Sequence, residues 1–166
     1  MSERILGVPL PELAEYCRKA AAEGAVLLKN ENGALPFKKG EKVSIFGRCQ
    51  IEYYRSGTGS GGAVNVPYVK KILDELRKAE DVVVNETLAT MYEAWLLEHP
   101  FDNGGGGWAC EPWFQKEMPI TDLIAEDAAK VSDIAVFVVG RTAGEDKDNH
   151  SLPGSYYLTE EELTKS

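Results

Sequence analysis

Apolar residues near the start of the chain recur in two patterns, one typical of a helix and one typical of a strand. The first has steps of three and four residues and predicts an amphipathic helix, for which Pro11 and Glu12 form a suitable opening turn. The apolar members of this helix are Leu13, Cys17, Ala20, Gly24, Leu27 and Leu28. The short apolar run of residues 43–46 then predicts a strand that ends at Gly47.

A second helical pattern follows a glycine-rich stretch, with Asn65 as its predicted cap and Pro67 in its opening turn. Its apolar members are Val66, Val69, Ile72, Leu73 and Leu76. Residues 82–84 predict the second strand, and a third helix is predicted to end near Pro100 before the glycine-rich loop of residues 103–108. The apolar members of this third helix are Leu88, Met91, Trp95 and Leu96.

Residues 134–139 form the clearest strand pattern, and Thr121 is the predicted cap of a fourth helix that precedes it. The run is apolar throughout, so apolar side chains point to both faces, as in a strand buried between two layers of helices. Helices that alternate with short apolar strands predict an α/β fold. We expect a mostly parallel sheet flanked by helices on both faces, a three-layer α/β/α sandwich.

The C-terminal residues carry the signature of a helix that has only begun. Thr159 and Glu162 form a capping box, and the chain ends at Ser166, so that this helix needs tertiary packing to be stable. The strand of residues 134–139 also lacks the further helix and strand that its two apolar faces require. We therefore expect residues 1–166 to form a single, incomplete α/β sandwich domain of marginal stability, with exposed apolar surface.

The chain has 166 residues with 18 Lys and Arg against 27 Asp and Glu, which gives a formal net charge of −9. Binding to nucleic acid or to an anionic membrane requires clustered basic residues, so we expect neither partner. The longest apolar run is far shorter than the roughly 20 residues that span a bilayer. No hydrophobic signal core precedes the first helix, which predicts a cytoplasmic location.

The cysteines and histidines do not have the spacing of a metal site. Cys17, Cys49 and Cys110 are far apart and form no C-x-x-C motif, and neither His99 nor His150 lies near a cysteine pair. We expect free thiols, no structural zinc or other metal, and no cofactor.

The segment with the most chemistry, residues 140–150, directly follows the clearest strand. In α/β sheets, ligand sites lie beyond the carboxyl ends of the strands. Glu145 follows a glycine, which allows a tight loop, and the neighbouring aspartates favour the protonated form of its carboxyl group, whereas Arg141 and Lys147 oppose this effect. Glu145 is therefore a candidate general acid, with a solvated charged loop as the alternative.

Four segments stand in an order that covers nearly the whole chain. They are residues 20–30 with 34–36, the loop 56–62 with 64–65, residues 108–113 running to 119, and residues 138–141 with 143–145 and Asp148. Together they resemble the α/β sandwich domain of glycoside hydrolase family 3, the β-glucosidase family.

This resemblance implies a retaining β-glycosidase that hydrolyses O-glycosyl bonds of small β-glycosides or oligosaccharides. In such an enzyme an aspartate nucleophile on a companion (β/α)8 barrel attacks the anomeric carbon, and the sandwich-domain glutamate protonates the departing oxygen and later activates water. Glu145 falls on that acid/base position. A barrel takes about 250 residues, more than the whole chain, so we expect the nucleophile on a missing barrel domain and no activity from the chain alone.

The resemblance also implies secondary roles. Arg141, Asp148 and Ser56 are expected to bind substrate or to orient the loop, and the carbohydrate is the expected ligand. Asn149 follows Asp148 where many members have arginine, which leaves the role of Asp148 open. Met1 lies shortly before the first matching segment, which favours an N-terminal piece of the subgroup in which the sandwich precedes the barrel, with an excised piece as the alternative.

Two other functions compete with this one. Gly57, Gly59 and Gly62 satisfy the dinucleotide motif G-x-G-x-x-G, although about ten residues separate them from the preceding strand, more than the motif allows. A non-catalytic carbohydrate-binding or structural module is the second alternative, because aromatic rings on loops can stack on sugars. The aromatic residues in question are Tyr53, Tyr54, Trp108, Trp113, Tyr156 and Tyr157.

Overall fold

The computed structural model describes residues 10–55, 66 and 68–163, which form two compact units divided after Pro36. The first unit contains helix α1 (Leu13–Glu23) and a single 3-10 turn at Glu31–Gly33. The prediction that α1 extends to Leu28 is wrong. Gly24 caps the helix, its N–H bonding to the Ala20 carbonyl, and the following apolar residues are non-helical and exposed.

The second unit is built on a parallel sheet of three strands. These are β1 (Glu41–Phe46), β2 (Val82–Val84) and β3 (Ile134–Phe137), with β1 in the centre of the order β2-β1-β3. Both neighbours run parallel to β1. The predicted α/β class and the parallel sheet are therefore confirmed.

The central strand β1 is covered on both faces. Val43 and Ile45 point to one face and are 0% and 2% exposed, while Ser44 and Phe46 on the other are 1% and 5% exposed. Strand β3 differs, because it lies at the edge of the sheet and Phe137, which stacks on Phe46, is 47% exposed. Strand β3 thus has one half-buried face, formed by Ile134 and Val136, and one exposed face, so the expected burial between two helix layers is wrong for this strand.

The helices of this unit alternate with the strands in the predicted order along the chain. They are α2 (Ile72–Lys78), α3 (Glu86–Glu98) and α4 (Asp122–Val131). The third and fourth agree with the prediction, and Thr121 accepts a bond from the Ile124 N–H as the expected cap. None of the described helices has the length and apolar character needed to cross a membrane.

The second helix begins later than predicted. Val66 and Val69 lie outside it, and Lys71, in an extended conformation, is its N-terminal flanking residue. The Tyr53 hydroxyl donates to the Lys70 carbonyl at 2.5 Å, so a tertiary contact occupies the backbone where the apolar spacing alone favoured a helical turn. The predicted cap, Asn65, and Pro67 lie outside the described residues.

Tyr92 fastens α3 to the end of β1. Its hydroxyl accepts a hydrogen bond of 2.8 Å from the N–H of Gly47, and both residues are buried. We expect Tyr92→Phe to lower the free energy of unfolding by about 1–3 kcal/mol, because the buried N–H then has no partner. Urea denaturation of the chain measures this change. Tyr53→Phe, which removes a more exposed hydroxyl, is the control, and equal losses in the two variants would contradict the argument.

Candidate active site

Glu145 lies at the tip of a tight hairpin beyond the end of β3. The backbone N–H of Gly144 donates to the Lys147 carbonyl and the N–H of Lys147 donates to the Gly144 carbonyl, each at 3.1 Å. Residues 144–147 are named the Glu145 hairpin here. Glu145 and Asp146 occupy its tip, where both are exposed and Asp146 has a left-handed φ of 59° that aspartate tolerates better than most residues.

The Glu145 hairpin packs against residues 108–113, the tryptophan segment. The Trp108 indole N–H donates to Asp146 Oδ2 at 2.8 Å. The Lys147 ammonium donates to the Ala109 carbonyl at 3.3 Å and lies 5.6 Å from the centre of the Trp113 ring. No pattern in the sequence indicated that these two segments are in contact.

Glycines allow the tryptophan segment to approach. A Cβ on Gly104, whose φ is +63°, would lie 2.0 Å from the Cys110 carbonyl oxygen, and one on Gly107 would lie 2.7 Å from the Cys110 sulfur. The predicted loop is therefore tightly folded, with a 3-10 turn at Gly104–Gly106 capped by Asn103. Glycine is required where the backbone folds over Cys110.

The base of the site is formed where the chain leaves β3. The Thr142 N–H donates to the Trp113 carbonyl at 3.0 Å, which joins the two segments behind the hairpin. Arg141 forms a bidentate pair with Glu162, at 2.8 and 2.5 Å, and donates to the carbonyls of Gly140, Ser155 and Tyr157. Its guanidinium thus contacts the backbone of the loop that follows, while the roles of Arg141 in orienting this loop and in binding substrate stay predictions.

Glu162 also caps the last helix, α5 (Glu160–Leu163). The Thr159 N–H donates to its carboxylate at 2.8 Å and the Thr159 hydroxyl accepts from the Glu162 N–H at 3.2 Å, which confirms the predicted capping box. Burial by itself would raise the pKa of Glu162, but the hydrogen bonds from Arg141 and Thr159 outweigh it and hold the pKa below its usual range. The tertiary contact that so short a helix requires is therefore the ion pair with Arg141.

The remaining predicted site residues are Asp148 and Ser56. Asp148 is exposed in the loop that follows the hairpin, and Ser56 lies outside the described residues, as does the predicted dinucleotide motif at Gly57, Gly59 and Gly62. Behind Asp148, the buried Ser155 hydroxyl accepts from the His150 N–H at 2.9 Å and donates to the Asn149 side chain at 3.3 Å. Ser155 therefore bonds to the loop that carries Asp148 through its hydroxyl and to Arg141 through its carbonyl.

The aromatic residues divide into two groups. Tyr53 and Tyr54 each donate to a backbone carbonyl at 2.5 Å, and burial raises the pKa of Tyr54 to about 12. Trp108, Tyr156 and Tyr157 are 56%, 74% and 53% exposed. Trp113, the sixth of these aromatic residues, is half-buried. A cavity of about 780 Å³, lined by side chains outside the Glu145 hairpin, also lies elsewhere in this unit.

The described residues hold no cluster of three or more metal-ligating side chains. All three cysteines are free, with Cys17 and Cys110 exposed and Cys49 buried. Burial raises the pKa of the Cys49 thiol to about 12, and a Cβ on Gly140 would lie 2.1 Å from its sulfur. Cys49 therefore fills space beneath the strand end as an apolar, unreactive side chain.

The sequence and the fold are both similar to known proteins. Residues 25–164 match the glycosyl hydrolase family 3 C-terminal domain. A β-glucosidase of Ruminococcus albus is 50% identical over 151 residues, which are 89% of this chain and 16% of that protein. The structure of a β-glucosidase from Paenibacillus barengoltzii is 64% identical with a TM-score of 0.94, over 98% of this chain and 18% of that one.

A more distant structure has the same fold. The β-glucosidase 3B of Thermotoga neapolitana, solved in complex with glucose, is 30% identical with a TM-score of 0.76, over 94% of this chain and 22% of that one. The chain therefore spans less than a quarter of the length of each of these relatives.

Proposed function

The chain belongs to glycosyl hydrolase family 3, and from this premise we propose that it contributes the acid/base carboxyl group to a retaining β-glucosidase. The observation that carries the proposal is the position of Glu145, exposed at a hairpin tip just beyond the carboxyl end of β3. A proton donor must reach a substrate that lies outside the domain while its own position stays fixed. The Glu145 hairpin meets both conditions.

In the proposed reaction, Glu145 acts twice. It first donates its proton to the glycosidic oxygen as a carboxylate nucleophile attacks the anomeric carbon, so that the alcohol leaves neutral and a glycosyl ester forms. The Glu145 carboxylate then takes a proton from water, and the resulting hydroxide displaces the sugar from the ester. Both carboxyl groups are thereby returned to their starting states, as a retaining mechanism requires.

The nucleophile is proposed to lie on a companion (β/α)8 barrel. Retaining hydrolysis needs two carboxyl groups about 5–5.5 Å apart, one on each side of the scissile bond. A barrel alone takes about 250 residues, more than the 166 present here. The relatives, which are several times longer than this chain, have room for such a domain.

The substrate is proposed to be a small β-glucoside or a β-linked glucose oligosaccharide. The support is the name shared by the relatives, each of which is a β-glucosidase. Within this chain, Asp148 and Arg141 are proposed to orient the loop around Glu145, since the Arg141 donors are directed to backbone carbonyls and to Glu162.

An exchange of domains tests the proposal. We define the hybrid enzyme as the Paenibacillus barengoltzii β-glucosidase in which this chain replaces the corresponding part, which is 64% identical. The 166-residue chain alone is expected to leave p-nitrophenyl β-glucoside intact, because it supplies one of the two carboxyl groups, whereas the hybrid enzyme is expected to hydrolyse it. Release of p-nitrophenol measures both. Efficient hydrolysis by the chain alone, or a folded but inactive hybrid, would contradict the proposal.

A carbohydrate-binding module is the second candidate. The exposed rings of Tyr156 and Tyr157 favour it, because they lie next to each other with centres 5.5 Å apart. Such a module predicts that the chain alone binds cellobiose and that replacing both tyrosines by alanine abolishes binding. Calorimetric titration measures this, and no heat of binding at millimolar sugar would exclude the module.

A further inference from the structure

The tip of the Glu145 hairpin is bonded through Asp146 to a distant part of the chain. The Trp108 indole N–H donates to the Asp146 carboxylate at 2.8 Å across 38 residues of sequence. Lys147, at the base of the hairpin, also contacts the tryptophan segment. Asp146 is joined directly to Glu145 by a peptide bond, so that fixing the one restricts the other.

We propose that Trp108 is a positioning residue for proton donation: its indole N–H holds Asp146 and thereby sets where the Glu145 carboxyl group lies. This inference rests on the proposed function of Glu145. A hydrogen bond to a charged carboxylate is shorter and stronger than one between neutral groups, which suits a bond that must hold an exposed tip.

The backbone at Trp108 is itself fixed by contacts with neighbouring residues. Its carbonyl accepts from the Cys110 thiol at 3.3 Å, and the next residue, Ala109, has a left-handed φ of 51°. The close approach of Gly104 and Gly107 to Cys110 folds the preceding loop over the same point. The indole is therefore attached to a tightly folded backbone, while Trp108 as a residue stays 56% exposed.

The consequence of a misplaced acid depends on the leaving group. A simple alcohol must be protonated as it departs, whereas 2,4-dinitrophenolate leaves as an anion and needs no proton. A variant in which Glu145 is present but displaced should therefore form the glycosyl ester more slowly only from substrates of the first kind. A variant with general damage to the domain should lose activity on both.

Trp108→Phe in the hybrid enzyme tests the inference. Phenylalanine keeps an aromatic ring but has no N–H donor, so kcat/KM for methyl β-glucoside should fall roughly 10- to 100-fold, the scale expected for an ångström of displacement. The kcat/KM for 2,4-dinitrophenyl β-glucoside, which reports only the formation of the glycosyl ester, should change less than about threefold, because that step needs no proton with this leaving group. Equal losses on both substrates, or no loss on either, would overturn the inference.

Asp146→Asn is the matched variant. Asparagine keeps an acceptor oxygen and tolerates the left-handed conformation at this position, so the bond from Trp108 should persist in a weaker form and kcat/KM for methyl β-glucoside should fall less than it does in Trp108→Phe. A loss as large as that of Trp108→Phe would show that the charge of Asp146 matters rather than the hydrogen bond, and would count against the proposal.

A measurement without activity separates this inference from the proposed function. In ¹H–¹⁵N spectra of the chain, the indole N–H signal of Trp108 should shift on Asp146→Ala, while that of Trp113 should not. An unchanged Trp108 signal would remove the hydrogen bond, and with it the inference, whatever Glu145 does. If the bond is present and Glu145→Gln is fully active, the proposed function fails instead.

Discussion

Replacing Glu145 by glutamine in the hybrid enzyme is expected to lower kcat on methyl β-glucoside by about 10²–10⁴-fold, the range typical of a lost general acid. The amide has nearly the same shape as the carboxyl group but cannot donate the proton that the leaving alcohol needs. Glu145 is exposed, so the substitution should not disturb the fold. The kcat/KM across a series of leaving groups measures the effect on the first step, which should shrink as the leaving group becomes less basic.

Azide distinguishes this mechanism from a general defect. With 2,4-dinitrophenyl β-glucoside the Glu145→Gln variant should form the glycosyl ester and then stall, because no base activates water. Azide needs no base, so it should restore turnover and give the β-glucosyl azide, a product that shows retention. Glu126→Gln, an exposed carboxylate on α4, is the control and should be unaffected. Full activity of Glu145→Gln on methyl β-glucoside would exclude Glu145 as the acid.

Replacing Arg141 by methionine is expected to lower the free energy of unfolding of the chain at neutral pH by about 3 kcal/mol, the lower end of the range for breaking a buried ion pair. Methionine keeps much of the side-chain volume but leaves the Glu162 carboxylate, only 8% exposed, without its cation. The carbonyls of Ser155 and Tyr157 lose a donor at the same time. Denaturant titration with the secondary-structure signal of circular dichroism measures the loss.

Arg77→Met is the matched control, because Arg77 also forms ion pairs, with Asp74, Glu86 and Glu93, but does so near the surface. Surface ion pairs contribute about 0–1 kcal/mol, so the control should lose far less stability than Arg141→Met. Similar losses in the two variants would mean that burial of Glu162 has no part in the effect.

The ion pair also predicts how stability depends on pH. The pKa of Glu162 in the folded chain lies below its usual range, so the unfolded chain takes up this proton at higher pH than the folded chain. The stabilisation is therefore complete above about pH 5, since the unfolded pKa is about 4.3, and is lost as the pH falls through the folded pKa. In Arg141→Met the Glu162 carboxylate loses the hydrogen bonds that lower its pKa most, so acidification toward pH 4 should cost the variant less stability than it costs the unmodified chain. Unfolding curves at pH 4 and pH 7 compare the two.

Periodicity within single segments was enough to predict most of the regular structure. Strand β2 and helix α4 occur where the apolar spacing placed them, and the capping box of Thr159 and Glu162 is formed. These signals are reliable because the groups that interact lie within a few residues of one another. The errors occurred where a distant or flanking residue prevailed, as at the start of α2, where the hydroxyl of Tyr53 holds the Lys70 carbonyl.

The sequence by itself determined the α/β class, the family and the position of Glu145 beyond a strand, because each of these depends on patterns within short segments of the chain. Only the tertiary structure decided what surrounds Glu145. Trp108 meets Asp146 across 38 residues and Arg141 meets Glu162 across 21, and no local pattern marks either pair. Such contacts depend on where the folded backbone brings two segments, and the geometry of the sheet and its loops sets that position.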